Sequence, residues 1–578
     1  MLTATESLRT KLAYEPQELK FGTSGRRGRV EDLTQLEVYI NALAEIEFLA
    51  SLPRAEGGIV KGDEFSFAYD LRPSSARYVP EQGGRGEIAQ AIVRAIADAG
   101  MRPVNLGRIP TPALAAYALA RGKGSMMITG SHIPFDRNGY KLNTSIGELL
   151  KQHEAPVNER VREVRRRLYA QPFVESLFDE RGLFKAGPKE LPAENSAAAG
   201  EYVERYTRFF AGEPLAGKRI LLYEHSAVGR DLLAEILGRL GADVVRSGRS
   251  DAFVPIDTEN IDEAQLATIQ ELVDAAAPKH SPIFAVASTD GDSDRPLLLG
   301  VDAATGTVRF YGGDLVGMIV AEWLRPDAVV VSISTNDAID RGPLAPVLEP
   351  KTRIGSPYII AGMEKAKARG KTAVCGWEAN GGFLTGTDFP RDGRVLKALP
   401  TRDAMLPILC VLQAAQDSRC SLADMFARLP SRFSRAALLR QLPRAAGLDI
   451  VRQFSPADAR VREALFEGSC RIVLEDAVTD EPGTDAQRRE AEAVRARLEH
   501  FFPPEAGFGS IVRLNWTDGV RITFATGDIA HIRPSGNADE LRIYAVADSQ
   551  ERADAIAKAG IAEPDGILRR LERAVTRS

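Results

Sequence analysis

Three aspartates alternate on one short loop, STDGDSDRP (288–296). Asp290, Asp292 and Asp294 stand at i, i+2 and i+4, and Gly291 allows the chain to bend sharply between them. Three carboxylates at this spacing form an oxygen cage for a hard cation. The EF-hand pattern does not fit, because that loop needs a later glycine and a closing glutamate that are missing here. Like charges this close repel unless a cation or a salt bridge offsets them. Oxygen-only ligands favour Mg²⁺ over zinc. A solvated acidic turn is the plainer alternative. A second run, MMITGSHIPFDRNGYKLN (126–143), ends an apolar stretch at Thr129-Gly130 and puts Ser131 on the turn beyond it. A hydroxyl there lies at the carboxyl end of a sheet, where α/β ligands bind, and a serine nucleophile needs an activating partner. The G-x-S-x-G elbow of hydrolases is absent, since His132, Ile133 and Pro134 follow Ser131. His132 suits a phosphate contact or, equally, a turn histidine bonded to backbone. The Asn138-Gly139 pair reads as a turn that folds Lys141 back towards Ser131; a surface lysine is the plainer reading.

Three further runs carry polar groups on glycine-rich turns. FGTSGRRGR (21–29) sets Arg27 among glycines and small hydroxyl residues, a loop able to bring backbone N–H groups and a guanidinium to a phosphate. GWEANGGFLTG (376–386) places Glu378 and Asn380 on a loop suited to neighbouring sugar hydroxyls, or equally on a turn with a capping asparagine. HIRPSGNADELRIY (531–544) crowds Arg533, Ser535, Gly536 and Asn537 on one turn and returns Arg542 on the next strand. Two guanidinium forks with hydroxyl, amide and backbone donors describe a clamp for a dianionic phosphate.

These turns need a scaffold that alternates strands and helices. FSFAYD (65–70), MRPVNLG and SMMITG (125–130) read as strands, and GEIAQAIVRAIADAG (86–100) as a helix between the first two. The alternation restarts at KRILLYEH (218–225) and runs to IFAVAST (283–289), then restarts at GGDLVGMIVAEWL (312–324) and runs to KTAVCGWEA (371–379). The spacing predicts three α/β units with parallel or mostly parallel sheets and crossover helices. The tail, GVRITFAT, GDIAHIRPS and ELRIYAVAD (519–548), alternates apolar and polar residues, which predicts a small antiparallel sheet with helices on one face. The charged stretch 478–500 reads as a surface helix or a linker.

The bulk numbers agree with such a chain. At roughly 100–200 residues per domain, 578 residues predict three or four domains. The expected divisions are 1–190 with the serine loop, 191–300 with the aspartate loop, 301–430 with the sugar loop, and 431–578 as an insert or linker plus a small phosphate-binding α+β domain. A net charge of -5 and 26% charged residues give no polycationic field for nucleic acid or an acidic membrane. No segment has the ~20 apolar residues that span a bilayer. Four cysteines without paired metal spacing and a polar N-terminus predict a cytoplasmic protein with reduced thiols.

Taken in order, FGTSGRRG, YDLRPSS, IPTPALAAYA, TGSHIPFDRNGYK, DGDSDR, WEANGG and RPSGNADELRIY resemble the α-D-phosphohexomutase family of phosphomannomutases and phosphoglucomutases, over Phe21 to Tyr544. The resemblance implies three similar mixed α/β domains plus a smaller C-terminal α+β domain in a heart-shaped arrangement. It implies a phosphoserine at Ser131, with one Mg²⁺ held by Asp290, Asp292 and Asp294 and by Ser131 itself. Arg27 and His132 lie near that phosphate, Lys141 transfers protons, and Glu378 and Asn380 bind sugar hydroxyls. Arg295 and the turn of Arg533, Ser535, Gly536, Asn537 and Arg542 bind the substrate. The implied reaction interconverts hexose 1-phosphate and hexose 6-phosphate through a hexose 1,6-bisphosphate, by a monomer or small homo-oligomer.

Three positions depart from the family's pattern. The serine loop reads TGSHIP where TASHNP is common. The sugar loop usually reads like GExSGH, so Asn380 replaces serine and Gly382 replaces a histidine, which shifts proton transfer onto Lys141. The phosphate turn has Asn537-Ala538-Asp539 in place of Thr-Glu-Pro. Phosphomannomutase or phosphoglucomutase activity is the leading expectation. An acetylglucosamine or glucosamine phosphate mutase is the runner-up, and a metal-dependent phosphatase and a non-catalytic sugar-phosphate sensor are the rivals from other classes.

Overall fold

A computed structural model describes residues 6–79, 85–259, 261–475, 483–534 and 540–576. The chain divides into two compact units. The first comprises residues 1–329 and 355–426, the second residues 330–354 and 427–578.

In the first unit the central strand Glu64–Tyr69 is buried along nearly its whole length and has parallel neighbours on both sides, Arg102–Asn105 and Ser125–Ile128. Burial on both faces explains the continuous apolar runs there. Ser125–Ile128 then pairs antiparallel with Arg137–Thr144, which pairs antiparallel with Arg26–Arg29. The sheet is therefore mixed, where the helix–strand alternation predicted a mostly parallel one. The helix Ile88–Asp98 presents Ile88, Ile92, Ala95 and Ile96 to the core, as its spacing requires. A longer helix, Gln35–Ser51, is started by the Thr34 side chain accepting from Glu37 N and is buried almost throughout.

The second sheet has the order Asp243–Arg249, Arg219–His225, Ala285–Thr289, Pro296–Val301, Val308–Phe310. Its first three strands are parallel, and the remaining pairings are antiparallel. In the third, Val374–Trp377 pairs antiparallel with Phe383–Thr385, which pairs antiparallel with Leu399–Asp403. Residues 129–136, 290–295 and 378–382, which carry the serine, the aspartates and the sugar-loop residues, thus occupy the same place in three sheets. Each is the hairpin connection after a buried strand.

The second unit is built on an antiparallel sheet of seven strands, in the order Phe433–Arg440, Glu540–Ala547, Ile529–Pro534, Val520–Phe524, Ile511–Asn515, Val461–Leu465, Arg471–Leu474. It takes in strands from 433–474 as well as from the tail, so it is larger than the small sheet expected from 519–548. Residues 485–499 are a helix, begun by a reciprocal capping box between Thr484 and Gln487. One face of the sheet, with Leu514, Ile522, Ala530, Ile532 and Ile543, forms the core with the helices. Among the described residues, no helix is long and apolar enough to cross a membrane.

Candidate active site

The serine loop is held by its own polar atoms and by one arginine. Ser131 N donates to Thr129 Oγ1 at 2.7 Å, and Ser131 adopts a left-handed φ of 52°. A non-glycine residue in this region carries strain that its surroundings must offset. Arg72 does much of that. Its guanidinium donates to the carbonyls of Ser131 (3.0 Å), Pro134 (2.8 Å) and Arg137 (2.9 Å) and also to that of Ile133. It stacks on Phe253 at 3.8 Å and lies 3.5 Å from Asp70.

The chain then returns as the strand Arg137–Thr144, and register places Lys141 opposite Met127. The turn expected at Asn138-Gly139 is not there; the reversal occurs over 131–136. Asn138 and Gly139 lie inside the strand for other reasons. The Asn138 amide donates to Ser74 and Ser75. A Cβ on Gly139 would lie 1.9 Å from the Arg26 carbonyl of the neighbouring strand, so only glycine fits. Lys141 still folds back, because its strand runs antiparallel to the one before Ser131.

The aspartate loop meets the serine loop directly. Ser131 Oγ donates to Asp290 Oδ2 at 2.7 Å. Lys141 Nζ bridges Asp292 Oδ2 and Asp294 Oδ2, both at 2.6 Å, and Thr111 Oγ1 donates to Asp292. Arg402 binds Asp294 Oδ2 through Nε at 3.1 Å and Nη2 at 2.9 Å, and Glu378 Oε2 through Nη1 at 2.8 Å. All three aspartates are fully buried. Burial and the charges of Asp292 and Asp294 hold the Asp290 carboxyl well above the usual range. Burial is the largest cause at the other two and acts the same way, but Lys141, Thr111 and Arg402 together outweigh it at Asp292, and Arg402, Lys141 and Arg295 together at Asp294, so both are depressed.

The donor set fits a hard divalent cation. One ligand oxygen from each aspartate lies within 4.8 Å of the others. Asp292 Oδ1 and Asp294 Oδ1 are buried and have no hydrogen-bond partner, which is costly for a carboxylate oxygen unless something binds it.

His132 accepts from Arg295 Nη1 at its Nδ1, 2.7 Å away. A guanidinium only donates, so this nitrogen is the unprotonated one. The same Nδ1 lies 3.3 Å from Ser131 Oγ, and Arg295 itself lies 3.9 Å from Asp290 and 3.7 Å from Asp294. Arg27 donates to the carbonyls of Arg26 and Tyr140. Burial, with the like charges of Arg402 and Arg72, pulls it down to about 10 against the attraction of Asp292. Asn380 spends its side-chain oxygen on Gly382 N at 3.0 Å, and its backbone carbonyl accepts from Thr258. Ser131, Lys141, His132, Arg27, Arg295, the three aspartates and Glu378 are thus joined by contacts or by mutual charge, and Asn380 sits on the Glu378 loop. Thr111, Arg72 and Arg402 were not singled out from sequence. The first two lie within quoted motifs, whereas LPTRDA around Arg402 has no such mark.

In the second unit Arg533 and Arg542 are direct cross-strand partners, on the sheet face that also carries Arg521 and His531. Arg533 lies 3.5 Å from Asp518, and Arg542 3.6 Å from Glu540. Ser535, Gly536 and Asn537 lie outside the described residues.

Three family models match the chain: phosphoglucomutase/phosphomannomutase alpha/beta/alpha domain I over residues 18–167, alpha/beta/alpha domain III over 312–433, and the C-terminal domain over 478–562. A phosphomannomutase of Sinorhizobium fredii is 36% identical, over 94% of this chain and 98% of its own. One of Salmonella muenchen is 35% identical, over 93% of each. The chain belongs to the phosphoglucomutase/phosphomannomutase family. It is an enzyme of that family, a phosphohexomutase. A solved phosphoglucomutase/phosphomannomutase family protein of Burkholderia thailandensis has the same fold, with a TM-score of 0.60 at 16% identity, over 96% of this chain and 97% of its own.

Two departures from the family pattern have physical reasons. A Cβ on Gly130 would lie 2.5 Å from Arg72 Nε, so the alanine common in TASHNP needs Arg72 to shift. A Cβ on Gly382 would lie 2.6 Å from Arg402 Cδ, so the side chain that other family loops carry there has no room.

Proposed function

We propose that this phosphohexomutase interconverts the 1- and 6-phosphates of mannose and of glucose, with mannose phosphate as the main substrate. The observation that carries the chemistry is the contact of Ser131 Oγ with Asp290 inside a buried, three-aspartate cluster. Ser131 is assigned as the phosphorylated group. Its phosphorus–Oγ bond breaks as a bond forms to a free sugar hydroxyl, giving a hexose 1,6-bisphosphate. That bisphosphate turns over and returns its other phosphoryl group to Ser131 Oγ. Lys141, bound to the same aspartates, is assigned to proton transfer at the attacking hydroxyl, for which its Nζ must first give up a proton. Arg27, Arg295 and His132 face the transferring phosphate; Arg533, Arg542 and the turn of Ser535, Gly536 and Asn537 hold the remote one. Asp290, Asp292, Asp294 and Ser131 would hold one Mg²⁺, which supplies neutralisation of charge on the phosphoryl oxygens.

The choice of sugar rests on the two relatives named phosphomannomutase and on the loop chemistry. Mannose and glucose differ at C2. Glu378 and the Asn380 amide nitrogen can bond hydroxyls on C3 and C4 whatever C2 does, and rejection requires a buried partner left unpaired. A four-domain division at 190, 300 and 430 is part of this reading, supported by the separate family matches. So is a cytoplasmic setting, supported by four free cysteines.

A coupled assay over mannose, glucose and N-acetylglucosamine 1-phosphates, with inorganic phosphate measured alongside, tests the proposal. Mannose and glucose phosphates should be converted without stoichiometric phosphate release. Preference for the N-acetyl sugar by more than about tenfold in kcat/KM, or ~1.4 kcal/mol, would assign the enzyme to the acetylglucosamine phosphates instead. Phosphate as the main product would make it a phosphatase, and no turnover of any sugar would leave a sensor.

A further inference from the structure

Three consecutive side chains of the strand Leu399–Asp403 tie together parts of the first unit that no sequence motif connects. Thr401 Oγ1 donates to Glu148 Oε1 at 2.6 Å, beside a 2.7 Å bond from Ser356 Oγ to the other oxygen of that carboxylate. Asp403 accepts from Tyr202 at 2.6 Å and from Tyr206, and caps the next helix through Met405 N at 2.9 Å. Between them, Arg402 is only 3% exposed and spans from the aspartate loop to the sugar loop. Its Nε and Nη2 are spent on Asp294 Oδ2, and its Nη1 on Glu378 Oε2.

The sugar loop is shaped around this arginine. A Cβ on Gly382 would meet Arg402 Cδ at 2.6 Å, Cγ at 2.8 Å and Cβ at 3.0 Å. The volume that a side chain at 382 needs is the volume that the arginine stem fills. A planar fork presents its N–H groups at fixed angles and so sets the orientation of the carboxylates it binds, whereas an ammonium is a point charge on a flexible stem. Asp294 Oδ1 is not touched by Arg402 and has no hydrogen-bond partner, so this arginine does not compete for the oxygen offered to a cation.

We propose that Arg402 is a positioning residue for sugar recognition: anchored on Asp294, it fixes the Glu378 carboxylate so that Oε1 meets a substrate hydroxyl, and Gly382 lacks a side chain to make room for it. This rests on the mutase reading above. The Arg402 guanidinium acts through Glu378 and need not touch the substrate.

The consequences separate positioning from mere structural support. Without Arg402 the Glu378 carboxylate is free to rotate, so substrate affinity falls. The aspartate cluster meanwhile loses a neighbouring positive charge, so cation binding does not weaken. Mn²⁺ affinity of the full-length protein, measured by electron paramagnetic resonance without substrate, is to be compared with KM and kcat for mannose 1-phosphate. Arg402→Ala should raise KM about tenfold or more, with a smaller change in kcat and a Mn²⁺ Kd equal to or tighter than wild type. Arg402→Lys should not restore KM, because one ammonium on a flexible stem replaces the fixed fork whose separate nitrogens meet Asp294 and Glu378. Gly382→Ala should raise KM in the wild-type background and add much less in Arg402→Ala, where the Cδ and Cγ contacts are gone and only Cβ, at 3.0 Å, remains. It also serves as the test if Arg402→Ala does not fold.

A KM for Arg402→Ala within twofold of wild type would overturn the inference. So would Mn²⁺ binding lost in step with thermal stability, full rescue by lysine, or additive effects of the two substitutions. A wild-type enzyme that turns over no sugar phosphate would instead sink the mutase reading, a result distinct from any of these.

Discussion

Arg72 offers the sharpest test of how the nucleophile loop is held. Its side chain is buried, and its guanidinium reaches four carbonyls between Ser131 and Arg137. Replacing it by alanine removes those bonds, the stacking on Phe253 and the charge opposite Asp70. Breaking a buried pair by deleting one partner costs about 3–5 kcal/mol. The low end applies, because Asp70 keeps Ser75 Oγ, Gly130 N and the backbone N of residue 72 as donors. Pro134 is exposed and Ile133 and Arg137 are half-buried, so their freed carbonyls can turn to water at about 1 kcal/mol or less each, while that of the buried Ser131 is the costlier loss.

Against this stands the order of the loop itself. Fixing the backbone costs about 1–2 kcal/mol per residue, so six residues at 131–136 cost more than Arg72 supplies. The loop therefore loosens locally before the unit unfolds, and the strained φ of Ser131 relaxes first. Arg72→Ala should lower kcat on the order of a hundredfold, the usual cost of a misplaced reacting group. The main thermal transition should move by only a few degrees. Arg72→Lys keeps the charge near Asp70 but cannot reach four carbonyls, so it should recover stability better than kcat. Steady-state kinetics, a thermal melt and the rate of phosphate incorporation at Ser131 measure all three. A kcat for Arg72→Ala within threefold of wild type would refute the argument, and so would equal recovery of kcat and stability in Arg72→Lys.

Other perturbations have clear signs. Ser131→Ala should lower kcat by several orders of magnitude and change the melting temperature little, and excess chelator should abolish wild-type turnover without unfolding, since the unit has its own core; activity and circular dichroism on the same samples check both. Stability should fall with acid through two buried histidines: His225 and His531 donate Nε2–H to the carbonyls of Thr289 and Asp518, and burial pushes each down to about 4 from an ordinary 6.5. The unfolded chain binds these protons first, so the stabilisation is present above the ordinary value and is lost as pH falls towards 4, at about 2 kcal/mol per histidine between pH 7 and pH 5. Urea titrations of wild type, His225→Gln and His531→Gln at both pH values measure it; a pH-independent midpoint in the wild type contradicts the assignment.

Much of the site was legible because chemistry-bearing residues cluster on turns after apolar strands. SMMI, AVAST and VCGW are wholly buried strands, and the polar residues that follow each can only be loop. The Asn138-Gly139 signal failed because a glycine needed for a passing backbone looks the same in sequence as one needed for a turn. Arg402 was not legible because its partners lie 24 and 108 positions away and its own strand has no unusual composition. The strands within 431–474 were not legible because they pair with distant ones, Phe433–Arg440 with Glu540–Ala547 and Val461–Leu465 with Ile511–Asn515. Local periodicity shows a strand but not its partner.

The serine and aspartate loops are brought together by an absent side chain as much as by attraction. A Cβ on Gly291 would lie 2.7 Å from the Ser131 carbonyl, below any real contact distance. The same approach gives Asp290 its 2.7 Å bond to Ser131 Oγ and lets Lys141, from the far strand of the serine hairpin, reach Asp292 and Asp294. Both sheets end in hairpins of the same kind, so each presents a loop tip, and the glycine lets the two tips touch through backbone. Attraction alone would not fix the geometry, because three buried carboxylates repel one another and draw on cations from several directions. The backbone contact sets how near the hydroxyl comes to the carboxylates, and the surrounding cations then balance the charge. That order explains why DGDSDR needs its glycine between two aspartates, a requirement that a count of ligands alone would miss.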